Sequence, residues 1–161
     1  MNEQFFEDSS ASEHRIHRLN EFPINQEGEF VLYWMTASRR YHYNSALEHS
    51  ITLATELGKP LLVVEPVSIR HTWSSDRILT FFVQGIIDNN AIFASNELTY
   101  IPWVETHKQS GNGLLRKLSQ RSCAVVIDDF PTYLPRDVMR QAAKFCRVRL
   151  DAIDSNGILP I

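Results

Sequence analysis

The residues best suited to bind a ligand follow an apolar run at 30–35. Arg39 and Arg40 could meet an anionic ligand, a phosphate backbone or another domain, and the amide of Asn44 could contact a ligand. No glycine occurs between residues 35 and 58, although a turn that wraps a phosphate normally needs glycine so that the phosphate can approach the backbone. The plainer alternatives are that the arginines are only solvated and that Asn44 caps the next helix.

A second candidate group is the pair of carboxylates at the end of another apolar run, at 123–130. Consecutive strand residues point to opposite faces, so Asp128 and Asp129 are poorly placed to share a metal ion or a proton. One of them could accept a hydrogen bond from a ligand hydroxyl or from nearby backbone donors. The alternative is turn formation before Pro131. The sequence therefore allows a ligand contact by either Asp128 or Asp129, but not by both together.

Other motifs with catalytic or metal-binding chemistry do not occur in the sequence. The six histidines are scattered, and there is no His-x-x-x-His or Cys-x-x-Cys spacing, no Walker glycine loop and no Gly-x-Ser-x-Gly elbow. Trp34, Trp73 and Trp103 could stack on a planar ligand, with core packing the better interpretation for Trp103. We therefore expect no metal site and no catalytic residue within these 161 residues.

Composition is that of an ordinary globular domain. Hydrophobic residues make up 43% and charged residues 22% of the chain, and the formal net charge of −3 gives no basic field for a dedicated nucleic-acid binder. Cys123 and Cys146 lie in apolar stretches and no secretory signal precedes them, which favours reduced thiols. No apolar run approaches the ~18 residues of a membrane span. These features predict a cytoplasmic domain without a membrane contact.

Strand and helix patterns alternate along the chain. Five apolar strands are expected, at 30–35, 60–66, 98–104, 123–130 and 148–154. Helical periodicity separates them, with start signals at Asn44 or Ser45, at Ser74 or Ser75, after Gly113 and at Pro135. The pattern predicts an α/β, Rossmann-like, doubly wound five-stranded parallel sheet in the order 3-2-1-4-5, with helices on both faces. Residues 1–29 are expected to be a flexible arm, mobile to about residue 17, and an ordered lead-in, with the domain itself at 30–161.

This strand order fixes where a ligand crevice should lie. The order reverses between the first and fourth predicted strands, and ligands of open α/β sheets bind outside the carboxyl ends of the strands at that point. The crevice is therefore expected above residues 35–40 and 128–132.

Several stretches resemble the amino-terminal domain of class II-type DNA photolyases. They run from Arg18 to the end of the chain and include the strand "VLYWM", Arg40, Asn44, "SDRILTFFVQGI", "VVIDDFP" and "DAIDSNGILPI". Tyr43 departs from the pattern, since many class II members carry aspartate immediately before the asparagine. The resemblance implies the α/β domain of a cyclobutane pyrimidine dimer photolyase, a carbon–carbon lyase. Its FAD lies in a carboxyl-terminal helical domain that we expect to be absent from this chain.

The resemblance also implies a ligand and partners. In photolyases this domain can hold a light-harvesting antenna, which is a folate, a deazaflavin or a flavin. The residues expected to line such a site are Trp34, Met35, Thr36, Arg39, Arg40, Asn44, Glu65, Asp128, Asp129 and Phe130. The implied partners are the FAD domain and, through the full-length protein, damaged DNA, and the implied state is a monomer that is inactive as this fragment alone. The alternatives are a cryptochrome-type photoreceptor domain and a stand-alone nucleotide-binding domain of the stress-protein kind.

Overall fold

The computed structural model describes residues 13–69, 74–106, 111 and 113–156, apart from the side chains of residues 13, 133 and 134. Its strands are β1 (Ile16–Arg18), β2 (Phe30–Trp34), β3 (Leu61–Val67), β4 (Thr99–Val104), β5 (Ser122–Asp129) and β6 (Arg149–Asp154). Its helices are α1 (Ser45–Leu57), α2 (Asp76–Ser95), α3 (Leu114–Ser119) and α4 (Tyr133–Phe145), and a short 3₁₀ turn, Glu13–Arg15, precedes β1.

The six strands form one mixed sheet in the order β1-β6-β5-β2-β3-β4. Strands β2 to β6 run parallel, whereas β1 pairs antiparallel with β6. The predicted count of five strands, the all-parallel sheet and the order given for the whole sheet are therefore wrong. The error lies in the omitted β1, because the five parallel strands keep the relative order that the crossover argument gave them. The proline-bearing β4 lies at a sheet edge, as predicted.

Strand β1 falls within the region expected to be a mobile arm. Its pairing places Ile16 opposite Ile153 and His17 opposite Ala152. Beyond it, the lead-in crosses the amino-terminal ends of the strands, and Asn25 and Glu29 donate backbone hydrogen bonds to β5 and the residue before it. Gly28 is required there, because a Cβ would come within 2.4 Å of the backbone nitrogen of Cys123. The amino-terminal segment thus extends and covers the sheet from residue 16 onwards.

Helices cover both faces of the sheet, as predicted. Alternate residues of β2 point to opposite sides, with Tyr33 in the core beneath α1 and α2 and Leu32 in the core beneath α3 and α4. Both cores are completely buried at their centres. Because each face is apolar, the parallel strands read as continuous hydrophobic runs. The free thiols of Cys123 and Cys146 are buried, and burial raises the pKa of both.

Helices α1, α2 and α3 begin at their sequence signals, whereas α4 begins at Tyr133, two residues before the predicted Pro135. Asn44 caps α1 by accepting from the backbone N–H of Leu47, and Ser75 caps α2 by accepting from Ile78. The cap of α1 is therefore Asn44 and not Ser45. Helix α2 is long and apolar enough to cross a membrane by length and composition. Its buried Ile86 and Phe93 nevertheless pack it into the α/β layer, so it is a helix of this domain.

Candidate functional site

Asp128 fills the turn that follows β2. Its carboxylate oxygen Oδ2 accepts hydrogen bonds from the backbone N–H groups of Thr36 (2.6 Å), Ala37 (2.7 Å) and Ser38 (3.3 Å). Successive N–H groups that converge in this way form an anion-binding nest. In a nucleotide-binding turn the anion would be a phosphate, whereas here it is a carboxylate from the neighbouring strand. Asp128 is 1% exposed and therefore belongs to the interior of the domain.

Asn44 joins the same turn to the start of α1. Its Nδ2 donates to the carbonyl oxygens of Ser38 and Arg40, both at 2.9 Å, while its Oδ1 accepts from Leu47. The hydroxyl of Tyr33 accepts from this amide and donates to Oδ1 of Asp128 at 2.7 Å. Burial, followed by the nearby charge of Asp128, raises the pKa of Tyr33 well above its ordinary value. The phenol is therefore a fixed neutral donor.

A second polar network lies at the end of β3. Glu65 is 1% exposed and accepts from Arg39 (3.0 Å), Asn89 (3.0 Å) and Tyr100 (2.6 Å). The guanidinium of Arg39 also donates to the carbonyl of Pro66. Burial, followed by the hydrogen bond to Glu65, raises the pKa of Tyr100. This network ties β3, β4, α2 and the turn after β2 together and leaves the Glu65 carboxylate fully engaged.

The exposed rim of the turn is formed by Arg40, His42 and Tyr43. Arg40 folds back and donates to the carbonyl of Tyr43 from both Nε and Nη2. Tyr43 adopts a left-handed backbone conformation, with φ of 54°, although it carries a Cβ. Tyr43 is 82% exposed. A planar aromatic surface and a guanidinium thus remain open to solvent beside the closed turn.

Asp129 points away from Asp128, as the strand geometry predicts, and lines a different feature. Its Oδ2 lies 2.9 Å from Nδ1 of His17 on β1, and its backbone carbonyl accepts from Asn156. A cleft of about 260 Å³ lies here, lined by His17, Asp129, Pro131, Arg136 and Asp154. A cavity of about 440 Å³ lies at the opposite, amino-terminal ends of the strands and is lined by the lead-in and by residues before β5 and β6.

The sequence-predicted site residues separate into three groups. Trp34 and Met35 are buried in the core, and Asn44, Glu65 and Asp128 are buried with their polar atoms bonded within the domain. Thr36, Arg39, Asp129 and Phe130 are half-buried, and Arg40 is exposed. Trp103 packs against the core beneath α3 and α4, as expected, while Trp73 lies outside the described residues.

A planar antenna needs a cleft of sufficient volume and side chains that are free to contact it. Ligand pockets of this kind usually enclose about 300–1,000 Å³, and the cleft of about 260 Å³ beside Asp129 is smaller. Asn44, Glu65 and Asp128 do not fit as ligand contacts, because each would have to break bonds that hold the domain together. The residues that fit are those at the rim, with Arg40 the most accessible of the predicted set.

Sequence reasoning missed several members of these networks. Tyr33 stands in a continuous apolar strand run, where nothing marks its hydroxyl as a partner of Asp128. Asn89 could have been predicted, because it is a polar residue in the inward stripe of α2. The apolar members of that stripe, at helical spacing, are Phe82, Ile86 and Phe93. His17 lay in the segment expected to be mobile.

Comparisons with known proteins bear on both the fold and the family. No protein-family model matches the chain. The chain is 29% identical over 147 residues to the deoxyribodipyrimidine photo-lyase of Methanothermobacter thermautotrophicus, a match that covers 91% of this chain and 32% of that relative. The chain thus spans about a third of the length of the curated relative that it matches.

Solved structures with a similar fold include universal stress proteins. A putative universal stress protein from Pseudomonas aeruginosa UCBPP-PA14 superposes with a TM-score of 0.54 at 10% identity, over 80% of this chain and 48% of that one. A universal stress protein family member from Burkholderia pseudomallei gives a TM-score of 0.47 at 17% identity and covers 81% of this chain and 98% of that one. The first likeness supports a Rossmann-like α/β fold, and the sequence match supports a relation to the amino-terminal domain of photolyases.

Proposed function

We propose that the chain is the amino-terminal α/β domain of a light-dependent DNA repair enzyme of the deoxyribodipyrimidine photolyase type. The observation that carries this proposal is the 29% identity to a photolyase along 91% of the chain. Similarity along nearly the whole folded region is more than a shared strand or turn would give. The activity belongs to the longer enzyme, which would hold FAD and the lesion in its further domain and act in the cytoplasm.

The geometry of the turn supports this proposal over a stand-alone nucleotide-binding domain. The stress-protein alternative has the fold in its favour, but a nucleotide needs donors for its phosphates. The three N–H groups at residues 36–38 are occupied by Asp128. A phosphate would have to displace a buried carboxylate of like charge, which is strongly unfavourable. No separate observation favours the cryptochrome alternative.

An antenna, if this domain binds one, would lie against the rim. Arg40 and the exposed ring of Tyr43 offer a cation and a stacking surface next to the ends of β2 and β5. Folate, FMN and a deazaflavin can each be titrated into the protein while their fluorescence is followed. We expect Arg40→Ala to weaken binding about tenfold, whereas Arg116→Ala, an exposed arginine on α3, should leave it unchanged. Binding that Arg40→Ala leaves unchanged would place the ligand elsewhere.

The repair activity itself is tested on the complete polypeptide that contains this chain. Purified, reconstituted with reduced FAD and illuminated with blue light, it should restore pyrimidines in DNA that carries cyclobutane dimers. The 161-residue chain is the matched control. It should bind no FAD and repair nothing, because a flipped dimer needs a dedicated pocket beside the flavin.

Two outcomes would contradict the proposal. A complete, FAD-loaded polypeptide that repairs no dimers would remove the photolyase assignment. Repair by the 161-residue chain alone would show that FAD and the lesion do not require the further domain to which we assign them.

A further inference from the structure

The two helical layers of the domain carry opposite charges. Helices α3 and α4 contain five lysines and arginines and one acid, which are Arg116, Lys117, Arg136, Arg140, Lys144 and Asp137. Helices α1 and α2, on the other face of the sheet, contain four acids and one arginine, which are Glu48, Glu56, Asp76, Asp88 and Arg77. The formal net charge of −3 for the whole chain therefore conceals a basic face, formed by the five cations of α3 and α4.

The cations of the basic face are left largely without counter-charges by the domain itself. All five are exposed. Arg140 lies 3.8 Å from Asp137, but both side chains of this pair are exposed, so the contact contributes little. Among the residues the structure describes, no ion pair joins Lys117, Arg136 or Lys144. Their charges are therefore available to an anionic partner.

Three of the cations form a stripe along α4. Arg136, Arg140 and Lys144 are spaced by four residues, so they lie on the same side of the helix, each about 6 Å along the axis from the next. Ala142, on another side of α4, is buried in the core. The stripe is about 12 Å long, and each strand of a DNA duplex carries one phosphate for every ~3.4 Å of its axis. Several phosphates therefore fall along the length of the stripe.

The basic face also lacks large exposed hydrophobic side chains. Among the described residues, those that the domain exposes are Tyr43, Ile78, Phe81, Val83, Ile87 and Ile101. None of them lies on α3 or α4. Protein–protein interfaces have a more apolar core, whereas interfaces with DNA are more polar and much more positively charged. These properties favour a nucleic acid over an acidic protein as the partner of this face.

We propose that the basic face of α3 and α4 binds the phosphate backbone of duplex DNA, independently of its sequence and of any lesion. The choice of DNA among polyanions rests on the proposed function, in which the complete enzyme acts on DNA. Phosphate contacts position a protein on the duplex but carry no sequence information. The face thus supplies affinity for DNA away from the lesion, which the further domain holds.

Fluorescence anisotropy of a short labelled duplex without dimers tests the proposal on the 161-residue chain, in the dark and without FAD. The duplex should bind at low ionic strength, and its affinity should fall steeply between about 50 and 200 mM salt, because bound cations release the counterions of the phosphates. Absence of binding at about 50 mM salt overturns the proposal. Repair by the complete polypeptide is a separate assay, so this failure would leave the proposed function standing.

Paired substitutions test whether the binding lies on the basic face. Arg140→Gln combined with Lys144→Gln should raise the dissociation constant at least about tenfold at low salt and reduce the salt dependence by about one phosphate contact for each cation removed. The matched control, Arg77→Gln combined with Lys59→Gln, removes the same charges elsewhere and should leave both quantities nearly unchanged. Circular dichroism checks that both variants are folded. Equal losses in the two variants would mean that net charge alone governs binding and would overturn the proposal.

Competition distinguishes DNA from an acidic protein. Unlabelled duplex should displace the labelled duplex, whereas polyglutamate at the same concentration of negative charge should displace much less of it. Equal or stronger displacement by polyglutamate would assign the face to an acidic protein partner and would overturn the choice of DNA.

The complete polypeptide gives an independent kinetic check. Arg140→Gln combined with Lys144→Gln should raise the KM for dimer-containing DNA and leave kcat unchanged, because the face contacts DNA equally before and during the reaction. A lower kcat with an unchanged KM would contradict a role in binding the DNA backbone.

Discussion

The turn after β2 and the helix α2 reverse the usual distribution of polar and apolar groups. The turn and the ends of β3 and β5 beside it carry the residues that look most like ligand contacts, yet Asn44, Glu65 and Asp128 are buried and bonded to their own domain. Helix α2 carries residues that look like core, yet Phe81 and Ile87 face solvent. The polar groups of the first region are bonded within the domain, whereas apolar groups of the second are exposed.

The type of a residue therefore says less about its function than whether its polar groups are already hydrogen-bonded and its apolar groups already buried within the domain. A buried carboxylate that already accepts several hydrogen bonds gains little from a ligand, because it must first give them up. An exposed phenylalanine gains from any partner that removes it from water, by about 25 cal/mol per Å². Recognition in this domain is therefore expected on exposed groups such as those of the rim and the basic face, away from the polar interior of the crevice.

The largest expected effect compares two phenylalanines of α2. Phe93 is fully buried, stacks on Tyr100 with ring centroids 4.6 Å apart, and contacts Tyr41 edge-on. Phe93→Ala should lower the free energy of unfolding by about 3–5 kcal/mol. Phe81→Ala should change it by less than about 0.5 kcal/mol, because this side chain is exposed. Urea denaturation followed by circular dichroism measures both, and similar losses would mean that α2 packs differently.

The next comparison uses the two adjacent aspartates. Asp128→Ala leaves three backbone N–H groups and the Tyr33 hydroxyl without their acceptor, and we expect a loss of about 3 kcal/mol. Asp129→Ala removes a half-exposed contact to His17 and should cost less than about 1 kcal/mol. Chemical denaturation of the two variants at pH 7 gives the difference. Equal losses of stability would show that the hydrogen bonds from the turn to Asp128 contribute no more than the contact between Asp129 and His17.

Helix capping provides a smaller contrast. Asn44→Ala removes the cap of α1 together with the two bonds to the turn carbonyls and should cost about 2 kcal/mol. Ser75→Ala removes a long cap contact of 3.4 Å at the exposed start of α2 and should cost about 0.5 kcal/mol. Thermal unfolding of both variants provides the check. A larger loss for Ser75→Ala would reverse our ranking of the two helix starts.

The smallest effect concerns pH. Burial alone would raise the pKa of Asp151, but hydrogen bonds from His49 and Arg149 outweigh it, and the pKa is lowered in the folded state. A lowered pKa stabilises the fold above the ordinary aspartate value near 4, and this contribution is lost as the pH falls through the folded value. Asp151→Asn should cost about 1 kcal/mol at pH 7 and flatten the stability profile below pH 4. An unchanged acid profile would contradict this origin of acid sensitivity.

Much of the architecture could be predicted because it depends on local patterns. Apolar runs of strand length alternate with helical periodicity, and short right-handed crossovers then limit the order of the parallel strands. Strand β1 escaped prediction because a three-residue strand with a histidine and an arginine has no pattern of its own. It exists through its pairing with β6, which lies about 135 residues further along the chain.

The candidate site was less predictable for a related reason. The partners of Asp128 are backbone N–H groups, which every residue of the turn possesses, so no residue type announces them. Sequence spacing could place Asp128 near the turn but could not tell a ligand contact from an internal anchor. In helix α2 the helical spacing of Ile86 and Phe93 does indicate the side that faces the sheet, but it does not show that Phe81 and Ile87 remain exposed.

The most direct measurement is a titration of ADP and ATP into the isotopically labelled protein, followed by the amide resonances of residues 36–38. These N–H groups are bonded to Asp128, so our account predicts no change in their chemical shifts up to millimolar nucleotide. The same spectra should show normal dispersion and a folded Tyr33 environment, which confirms that the protein is intact. Saturable shifts at residues 36–38 would show that the turn accepts a phosphate after all and would contradict the account.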